Sequence, residues 1–566
     1  MPARASDRAR RDGGGDTIRQ GEGFELGSKE SCEEVEGNVT QEKGWCEEMS
    51  THPTLHHEPC DFVCGEVVPI PGDVIQSLNP AEPGQVLWAG SPVLEHVDRA
   101  VASARSALSE WASWPTERRF DVLRTYQKIC QSRVDAMAEL ICDETGKALW
   151  DSRGEAGILG GKVDITLDDS PNAGLRRVTG YEVPLSESRV GRCVFKPHGV
   201  MAVIGPYNFP AHLPNGHIIP ALAMGNTVVF KPSEKTPAVG QALVEMLIAA
   251  LDEAGAPAGV VNLVQGGPET AVKLTGHAGI DGVLFTGSWP VGRKILEANL
   301  DHPGRIVALE LGGNNPAVVM PDAHLEQAAI EVVRAAFVTT GQRCTCTRRL
   351  VVHRDIAKPF ISAVCRAASE LIIGHPKSDE PVFMGPMITE QARDAVLAFQ
   401  DRLSGGGAEV LLAATDRDSA GQTGTHTISP GVLKVDRFVA DDSGDAGCDI
   451  EVFGPLLRVV EVGSLDEAIE QANATRYGLA ASIFTTDADA QQRFINESRA
   501  GCININTGTA GASSKLPFGG LGLSGNHRPA GSFSLDYCAV PVASMVESGA
   551  GAACPPGMRF DPQWLK

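Results

Sequence analysis

Short apolar runs and longer amphipathic segments alternate along most of this chain. The segments between the runs have apolar residues at helical spacing, and the segment 237–255 begins with proline and ends with glycine, as helices often do. Strands that alternate with helices in this way predict parallel βαβ units in a doubly wound sheet. The runs rich in β-branched residues, each predicted to be a buried strand, lie at 200–205, 226–230, 259–264, 282–287 and 305–313.

The alternation resumes after residue 314 with PAVVM, a helical segment at 322–338 and RRLVV, and it predicts a second domain of the same kind. Gly312 and Gly313 stand between the two series of strands, so we place the seam there. Upstream of the first series, the spacing at 94–112 and 117–144 is helical. The predicted fold class is α/β, with two doubly wound domains.

The two ends of the chain lack this periodicity. Residues 1–70 are rich in Gly, Glu, Ser and Asp and bury too little apolar surface to offset ordering entropy, so we predict a disordered tail. Residues 546–566 are expected to form a second, loose tail. A metal clip near the end of the first tail is conceivable, but no ligand pair there has a standard zinc-finger spacing, and a flexible tail is favoured. The candidate ligands are His52, His56, His57, Cys60 and Cys64.

The overall composition is that of an ordinary globular protein. The 566 residues are 42% hydrophobic and 21% charged, and the formal net charge is −22. Such a surface repels phosphate backbones and anionic lipids, so we expect no nucleic-acid or membrane partner. We see neither a secretory signal nor a run of roughly 18 apolar residues. The 14 cysteines are dilute, and we expect a cytoplasmic protein with reduced thiols.

A glycine-rich turn follows the predicted strand 282–287. Its backbone N–H groups and the dipole of the next helix suit the pyrophosphate of a dinucleotide. The spacing is neither the G-x-G-x-x-G fingerprint nor a P-loop, so a plain strand-to-helix turn stays open as the alternative. The turn consists of Gly287, Ser288, Trp289, Pro290, Val291 and Gly292.

Polar residues also follow two other predicted strands, at the strand ends where open α/β sheets bind ligands. Lys231 and Glu234, in FKPSE, suit ribose hydroxyls, although a surface turn shaped by proline is favoured on these residues alone. Asn208, in GPYNFP, lies in a turn stiffened by two prolines, where its carboxamide suits an oxyanion hole. The alternative for Asn208 is an Asx-turn that only shapes the loop.

The stretch GQRCTCTRR, residues 341–349, contains Cys344 and Cys346 after a predicted buried helix. A metal site would need more soft ligands nearby, and a disulfide between the two cysteines would close a small strained ring. The neighbouring cation Arg343 favours a thiolate and therefore a nucleophile. Core filling is the competing interpretation, because free cysteines more often pack than react.

These features form a coherent set together with Glu310, an acid in the predicted strand ALELGG. An oxyanion donor, a dinucleotide turn, an acid and an isolated thiol suit hydride transfer to a nicotinamide through a covalent thioester.

Over residues 75–545 the chain resembles the aldehyde dehydrogenase superfamily. The order GPYNFP, FKPSE, FTGS-x-x-x-G, ELGGNNP, GQRCT, EVFGP and PFGG-x-G-x-SG carries this resemblance. Within the superfamily, HLPNGHIIPAL, LELGGNNP, GQRCTCTRRL and SGNHRP are similar to the N-succinylglutamate 5-semialdehyde dehydrogenases of arginine catabolism.

The resemblance implies the chemistry of the site. Cys344 corresponds to the nucleophile, Glu310 to the general base, and Asn208 with the N–H of Cys344 to the oxyanion hole. Hydride leaves the thiol adduct for NAD, and Glu310 then deprotonates the water that hydrolyses the thioester. In this scheme Cys346 lines the site without reacting.

The resemblance also implies the cofactor contacts. Lys231 and Glu234 correspond to ribose contacts on the adenosine side, and Glu234 suits the free 2′-hydroxyl of NAD. Residues 287–292 correspond to the cofactor loop, and Glu451 and Phe453 to residues that hold the nicotinamide half. No metal is expected.

The implied substrate contacts come from the helix after Asn208, from the residue before the nucleophile and from the loop before PFGG. Thr507-Gly508 stands where the similar subgroup has a basic residue and a proline, which leaves another ω-semialdehyde or an aliphatic aldehyde open as the substrate. An acylating enzyme that uses coenzyme A and an inert binding protein are further alternatives. The implied contacts are His212, Arg343, Thr509, Ser513 and Ser514.

The implied organisation has an NAD-binding domain at 75–311 and a catalytic thiol domain at 312–525, with residues 526–545 returning to the first domain. A segment near 178–198 and the strand candidate 536–544 are expected to pair across the subunits of a homodimer or homotetramer. The expected partner is otherwise a small aldehyde.

Overall fold

The computed structural model describes residues 58–417, 425–549, 552 and 554–566. Two seven-stranded sheets, one three-stranded sheet and two strand pairs account for the strands in these residues. In chain order the strands are β1 (Cys60–Val63), β2 (Glu66–Pro69), β3 (Ile75–Leu78), β4 (Val86–Gly90), β5 (Tyr181–Pro184), β6 (Arg189–Pro197), β7 (Val200–Ile204), β8 (Thr227–Lys231), β9 (Val261–Leu263), β10 (Gly282–Gly287), β11 (Ile306–Leu311), β12 (Asn315–Val319), β13 (Thr347–His353), β14 (Glu409–Leu412), β15 (Gly431–Lys434), β16 (Leu456–Val462), β17 (Ala480–Phe484), β18 (Cys502–Ile505), β19 (Pro517–Phe518), β20 (Ala530–Gly531) and β21 (Ala539–Glu547).

The helices of the described residues cover the faces of the two large sheets. None of them is long and apolar enough to span a bilayer. They are α1 (Glu95–Ser113), α2 (Thr116–Ser132), α3 (Val134–Thr145), α4 (Leu149–Gly157), α5 (Gly161–Leu167), α6 (Gly174–Arg177), α7 (His212–Ala223), α8 (Pro237–Glu253), α9 (Pro268–Gly276), α10 (Trp289–Ala298), α11 (Leu325–Phe337), α12 (Arg354–Ser369), α13 (Glu390–Gly405), α14 (Leu465–Asn473) and α15 (Ala488–Glu497).

The first large sheet has the order β11-β10-β7-β8-β9-β1-β2. Its strands from β7 to β11 run parallel and correspond to the five predicted runs. Alternate residues of one strand enter two different cores: Met201 and Val203 pack in one cluster, whereas Val200 and Ala202 pack in another. Because both faces are buried, these strands are continuously apolar, and this made them readable in the sequence.

The predicted tail at residues 1–70 is wrong over its last ten residues. β1 and β2 form an antiparallel hairpin that extends the first sheet, with Phe62 opposite Leu263 of β9. Asp61 is fully buried and fixes the hairpin: Oδ2 lies 2.7 Å from Nδ1 of His96, and Oδ1 accepts from the N–H of Gln265 at 2.6 Å. A run as short as CDFV cannot be distinguished from a polar tail by periodicity.

Most of the candidate metal ligands near the N-terminus lie outside the described residues, which begin at residue 58. His52, His56 and His57 precede that point, while Cys60 is buried in β1 and Cys64 is exposed. Among the described residues, no group of three or more His, Cys, Asp and Glu side chains is arranged to hold a metal ion.

The second large sheet has the order β14-β15-β16-β13-β12-β17-β18 and is parallel except at the β14–β15 pair. Val318 and Val351 pack on one face, and Ala317 and Leu350 on the other. β11 of the first sheet ends at Leu311 and β12 of the second begins at Asn315, so three residues join the two sheets at the predicted seam.

The helical spacing at 117–144 covers two helices, α2 and α3. Arg133 between them has φ −118° and ψ 16°, outside the helical range. The apolar spacing continues on both sides of this residue, so the sequence pattern alone does not reveal the break.

The small sheet has the order β21-β6-β5, and a nine-residue antiparallel ladder joins β21 to β6 within the one chain. The expected strand at 536–544 is displaced by three residues, since β21 extends to Glu547 and takes the first two residues of the predicted loose tail. Residues 554–566 are exposed and contain a short 3₁₀ turn at Pro562–Leu565. The buried side chains of Leu535, Tyr537 and Cys538 belong to the core of the first sheet.

Candidate active site

A cavity of about 200 Å³ is lined by residues that come from both large sheets. Glu310 lies near the end of β11, and Cys344 lies in the loop that leads into β13. The predicted nucleophile and the predicted base therefore face one space although they belong to different sheets. The predicted substrate contacts His212, Arg343, Ser513 and Ser514 line the same cavity.

The loop before Cys344 has an unusual backbone. Thr339 and Thr340 have φ values of 55° and 54°, and Gly341 follows with 69°. β-Branched residues rarely adopt this left-handed conformation, which persists only where neighbouring contacts enforce it. The threonine hydroxyls supply such contacts: Thr339 Oγ1 donates to Asp151 Oδ2 at 2.6 Å, and Thr340 Oγ1 donates to the Gly385 carbonyl at 2.9 Å.

Two buried side chains hold the loop from the inside. Asn315 Nδ2 donates to the carbonyl oxygens of Cys344 and Cys346 at 2.7 and 2.8 Å. The guanidinium of Arg348 donates to the carbonyl oxygens of Gly341 and Arg343 at 3.2 and 3.0 Å. Neither role was predicted from the sequence. The pair Arg348-Arg349 inside a buried strand was a visible signal for the arginine, because a buried guanidinium requires local acceptors.

Arg343 does not stabilise a thiolate at Cys344, contrary to the sequence-based expectation. Its Nη2 lies 2.6 Å from Asp151 Oδ1, and its Nε donates to Thr339 Oγ1 at 2.7 Å. The charge of Arg343 is therefore neutralised locally by a carboxylate from α4. This partner is distant in sequence and could not be identified from the motif.

Burial and, after it, the nearby carboxyl groups of Glu451 and Glu310 together raise the pKa of the Cys344 thiol to about 12. In this arrangement Cys344 is a protonated thiol at neutral pH. To act as a nucleophile, the thiol then needs a proton acceptor or an added positive charge nearby. Glu310, in the wall of the same cavity, is the candidate proton acceptor.

Cys346 does not line the cavity. It is fully buried in a small cluster with Ala335, Val338 and Ala510, and its Sγ contacts the Val338 carbonyl oxygen at 3.8 Å. The predicted bystander is thus a core residue behind the loop, which is the ordinary environment of a free cysteine.

Glu310 is buried, and burial raises the pKa of its carboxyl group well above the ordinary value. Its Oε2 has no hydrogen-bond partner among the described residues. A Cβ added at Gly519 would approach Oε1 to 3.0 Å, so glycine at that position leaves room for the carboxyl group. The carboxyl group has a backbone hydrogen bond with Ala530. A buried acid with one unpaired oxygen in the wall of a cavity is suited to accept a proton from a ligand or a water.

Asn208 lies beside the nucleophile loop, because its Nδ2 donates to the carbonyl oxygen of Gln342 at 3.0 Å. The turn that carries it is fixed by Glu155, whose Oε1 accepts from the N–H groups of Ala211 and His212 at 3.1 Å each. The same buried carboxylate forms an ion pair with Lys147. Side chains of α4 and its neighbours therefore position the Asn208 turn.

Thr509 differs from the other predicted substrate contacts, because it does not line the cavity. Its Oγ1 donates to the Thr345 carbonyl at 2.6 Å and lies 2.8 Å from Thr347 Oγ1, which makes it a buried support for the nucleophile loop. Thr507 and the N–H of Gly508 bind Glu331 of α11 instead. Cavity-lining residues that the sequence analysis missed include Lys162, Phe209, His217, Thr286 and Phe518.

The predicted ribose contacts lie at the end of β8. Lys231 is buried, its Nζ donates to the Pro232 carbonyl at 2.7 Å, and it lies 3.6 Å from Glu234 Oε2. Burial lowers the pKa of Lys231 to about 8, and Glu234 partly opposes this shift. The Glu234 side chain is 40% exposed and is accessible to a ligand.

The glycine-rich turn lies between β10 and α10, which begins at Trp289. Ser288 precedes the helix, Pro290 and Val291 are exposed on its first turn, and no side chain caps the first N–H groups. A Cβ at Gly287 would lie 2.3 Å from the Phe285 ring and one at Gly292 would lie 2.8 Å from Leu311. Packing therefore requires both glycines, and the uncapped helix N-terminus is the feature that fits a pyrophosphate.

Glu451 lies against the linker between the sheets. Its Oε1 accepts from the Gly313 N–H at 3.0 Å, and a Cβ at Gly312 would lie 1.8 Å from Oε2. Phe453, two residues later, makes an edge contact with Tyr207 at a centroid distance of 6.0 Å. The chemistry of these groups suits a dinucleotide: Lys231 and Glu234 offer partners for ribose hydroxyls, and Phe453 offers an aromatic surface.

Residues 70–541 match the aldehyde dehydrogenase family, and the chain belongs to that family. The prediction of an oxidoreductase that acts on aldehydes is confirmed.

Within the family, the chain is similar to proteins named N-succinylglutamate 5-semialdehyde dehydrogenase. The protein of Sphingopyxis alaskensis is 43% identical, over 86% of this chain and 97% of its own length. The protein of Caulobacter sp. strain K31 is 45% identical, over 83% of this chain and 92% of its own length.

Solved structures confirm the fold class. The glyceraldehyde-3-phosphate dehydrogenase of Methanocaldococcus jannaschii, complexed with NADP, has a TM-score of 0.77 at 26% identity and covers 84% of this chain and 100% of its own. Betaine aldehyde dehydrogenase of Staphylococcus aureus, in complex with NAD⁺, has a TM-score of 0.79 at 28% identity and covers 88% and 98%. Proteins of this fold thus bind either nicotinamide dinucleotide.

Proposed function

We propose that this enzyme catalyses the NAD-dependent oxidation of N-succinyl-L-glutamate 5-semialdehyde, with water, to N-succinyl-L-glutamate and NADH, a step of arginine catabolism. The observation that carries the chemistry is the presence of Cys344 and Glu310 in the wall of one cavity. The relatives named for this reaction support the substrate.

In the proposed reaction the Sγ of Cys344 attacks the aldehyde carbon, and its proton leaves through Glu310 or a water beside it. The raised pKa of the Glu310 carboxyl group makes it a better proton acceptor than an exposed glutamate. The developing oxyanion accepts hydrogen bonds from the Cys344 N–H and from Asn208 Nδ2, which lies beside the loop.

NAD⁺ would supply the hydride acceptor when bound, and loss of hydride from the thiol adduct would leave a thioester on Cys344. Glu310 then removes a proton from water, the hydroxide attacks the thioester carbon, and the C–S bond breaks to return Cys344. A base directed at water favours hydrolysis and argues against transfer of the acyl group to coenzyme A. The uncapped N-terminus of α10 would receive the pyrophosphate, and Lys231 with Glu234 would hold the adenosine ribose.

We propose NAD rather than NADP because Glu234 is an acceptor for the 2′-hydroxyl of the ribose. A 2′-phosphate in the same position would face the negative charge of this partly exposed carboxylate. A comparison of kcat/KM for the two cofactors checks this preference.

The experiment for the proposed function measures NADH production from N-succinylglutamate 5-semialdehyde and from glutamate 5-semialdehyde, which lacks the succinyl group. We expect a strong preference for the succinylated aldehyde, and loss of activity by at least about 10³-fold in Cys344→Ser. Cys346→Ala is the matched control, because this thiol packs behind the loop and should retain activity within about 3-fold.

Equal rates for the two aldehydes, with activity still dependent on Cys344, would keep the mechanism and replace the substrate by another ω-semialdehyde. Activity that survives in Cys344→Ser would overturn the mechanism.

We also propose a homo-oligomer. β21 is an edge strand of the small sheet, and its outer residues, including Met545 at 74% exposure, are available for a second copy of the chain. Light scattering on the purified protein should give the mass of a dimer or tetramer, and a monomer mass would contradict this proposal.

A further inference from the structure

Lys162 is a buried cation in the wall of the active-site cavity. It lies on α5 and is 3% exposed, and its Nζ donates to the Gly531 carbonyl at 2.8 Å and to Ser534 Oγ at 3.2 Å. These two neutral acceptors satisfy part of its hydrogen-bonding capacity, since an ammonium group has three donors.

The charge of Lys162 has no counterion within the described residues. The other buried or partly buried cations of this region have one: Arg343 pairs with Asp151, and Lys147 pairs with Glu155. In the part of the chain that the structure describes, no carboxylate lies within ion-pair distance of Lys162, and this includes Glu310 in the same cavity. A buried charge without a partner is costly, and burial accordingly lowers the pKa of Lys162 to about 8. A bound anion would favour the charged form of this side chain.

A second polar group in the same wall also lacks a partner. His212 Nδ1 is shielded from solvent and makes no hydrogen bond within the described residues. Burial lowers the pKa of His212 to about 4, and the charge of Lys162 contributes to the same shift. The imidazole is therefore neutral at physiological pH and can donate one hydrogen bond to an anion without adding charge.

The remaining walls explain how such an anion would be oriented. Phe209, Leu213 and Ile158 supply apolar surface to the same cavity, which Cys344 also lines. A ligand with a short methylene chain and a carboxylate matches a cavity that has both an apolar wall and the polar groups of Lys162 and His212.

We propose that Lys162 and His212 form a specificity subsite that binds a carboxylate of the aldehyde substrate. This inference rests on the proposed function, because it assigns the residues that recognise an acidic aldehyde. Arg343 was the cation among the substrate contacts expected from the sequence, but its charge is already neutralised by Asp151. We assign the cationic contact to Lys162 instead.

The test compares a charged aldehyde with a neutral one of nearly the same size. N-Succinylglutamate 5-semialdehyde and its dimethyl ester are assayed with wild type, Lys162→Gln and Lys128→Gln. Gln at 162 retains a donor for the Gly531 carbonyl and removes the charge. Lys128 is exposed on the neighbouring helix α2 and serves as the matched control.

We expect K162Q to lower kcat/KM for the diacid by about 10- to 100-fold and to change kcat/KM for the diester by less than about 3-fold. K128Q should leave both values unchanged. Equal losses on the diacid and the diester in K162Q would show that Lys162 only supports the fold and would overturn the proposal.

A binding measurement covers the case in which K162Q does not fold. The product N-succinylglutamate should protect Cys344 of the wild type from iodoacetamide, and His212→Leu should weaken that protection by about 5-fold or more. Unchanged protection in H212L, or equal protection by the product and its diamide in the wild type, would contradict a carboxylate subsite.

A different result would contradict the proposed function itself. If glutamate 5-semialdehyde is oxidised as well as its succinylated form, the substrate assignment is wrong. The diacid-to-diester ratio in K162Q still decides the role of Lys162 in that case.

Discussion

The Nδ2 of Asn315 lies 2.7 Å from the carbonyl oxygen of Cys344. Asn315 opens the first strand of the second sheet, and its Oδ1 also accepts from the N–H of Ala480 at 3.0 Å. One buried carboxamide thus connects the nucleophile loop to the centre of the sheet. The thiol is held by its own backbone carbonyl, so its position depends on a residue that need not contact substrate.

Asn315→Ala should therefore lower kcat by more than its loss of stability explains. We expect kcat to fall about 10- to 100-fold with little change in KM, because a displacement of the thiol affects the reacting geometry most. Asn226→Ala is the matched control, since Asn226 is equally buried and also makes three hydrogen bonds, in the first sheet. If the two variants lose similar stability and similar kcat, Asn315 has no special role in positioning.

The alkylation of Cys344 in the free enzyme should increase steeply with pH. Its pKa is raised by burial and nearby carboxyl groups to about 12, so the reactive thiolate increases about tenfold for each pH unit from 7 to 10 without a plateau. The labelled peptide is quantified by mass spectrometry with iodoacetamide, with and without NAD. A plateau between pH 7 and 9 in the free enzyme would mean that the thiol pKa is lowered instead.

Glu310→Gln should separate the two halves of the reaction. We expect one equivalent of NADH per active subunit in a rapid phase, because a water can take the Cys344 proton in place of Glu310. Later turnover should be slower by about 10²- to 10⁴-fold, because the thioester forms but the hydrolytic water is no longer deprotonated. The thermal midpoint at pH 8 should not fall, since burial disfavours ionised Glu310 and the neutral amide avoids that cost. Loss of the rapid phase would place Glu310 before hydride transfer.

Thr509 and Ser513 should behave in opposite ways. Thr509→Val removes the bond to the Thr345 carbonyl, which should cost about 1–3 kcal/mol and lower the thermal midpoint without changing KM for the aldehyde. Ser513 is exposed at the cavity, so Ser513→Ala should change KM by a few-fold with an unchanged midpoint. A change in KM for T509V alone would restore Thr509 as a substrate contact.

The elements that could be predicted from the sequence are those in which a regular pattern of apolar residues recurs along the chain. The parallel strands of both sheets are buried on two faces and are therefore continuous apolar runs, and the motif order around Cys344 and Glu310 led to the family. The short hairpin at Cys60–Pro69 has no such repetition. Its stability depends on Asp61 meeting His96 and the backbone of Gln265, which no local pattern reports.

The errors within the site have the same physical origin. Arg343 was expected to act on its neighbour Cys344, but its carboxylate partner Asp151 is 192 residues away in the chain. The environment of a charged side chain is set by tertiary contacts, so a motif can identify which residues meet at a site more reliably than it can identify which charges remain unpaired.

The short linker of Gly312, Gly313 and Asn314 has a consequence for how this enzyme tolerates insertions and deletions. Glu310 and Asn315, five positions apart, belong to two separately packed sheets. The linker is buried and packed against Glu451, so one extra residue would disturb this packing and also change the register of the acid relative to the thiol. A length change here would therefore reduce stability and activity together, whereas the same change in an exposed loop would affect neither strongly.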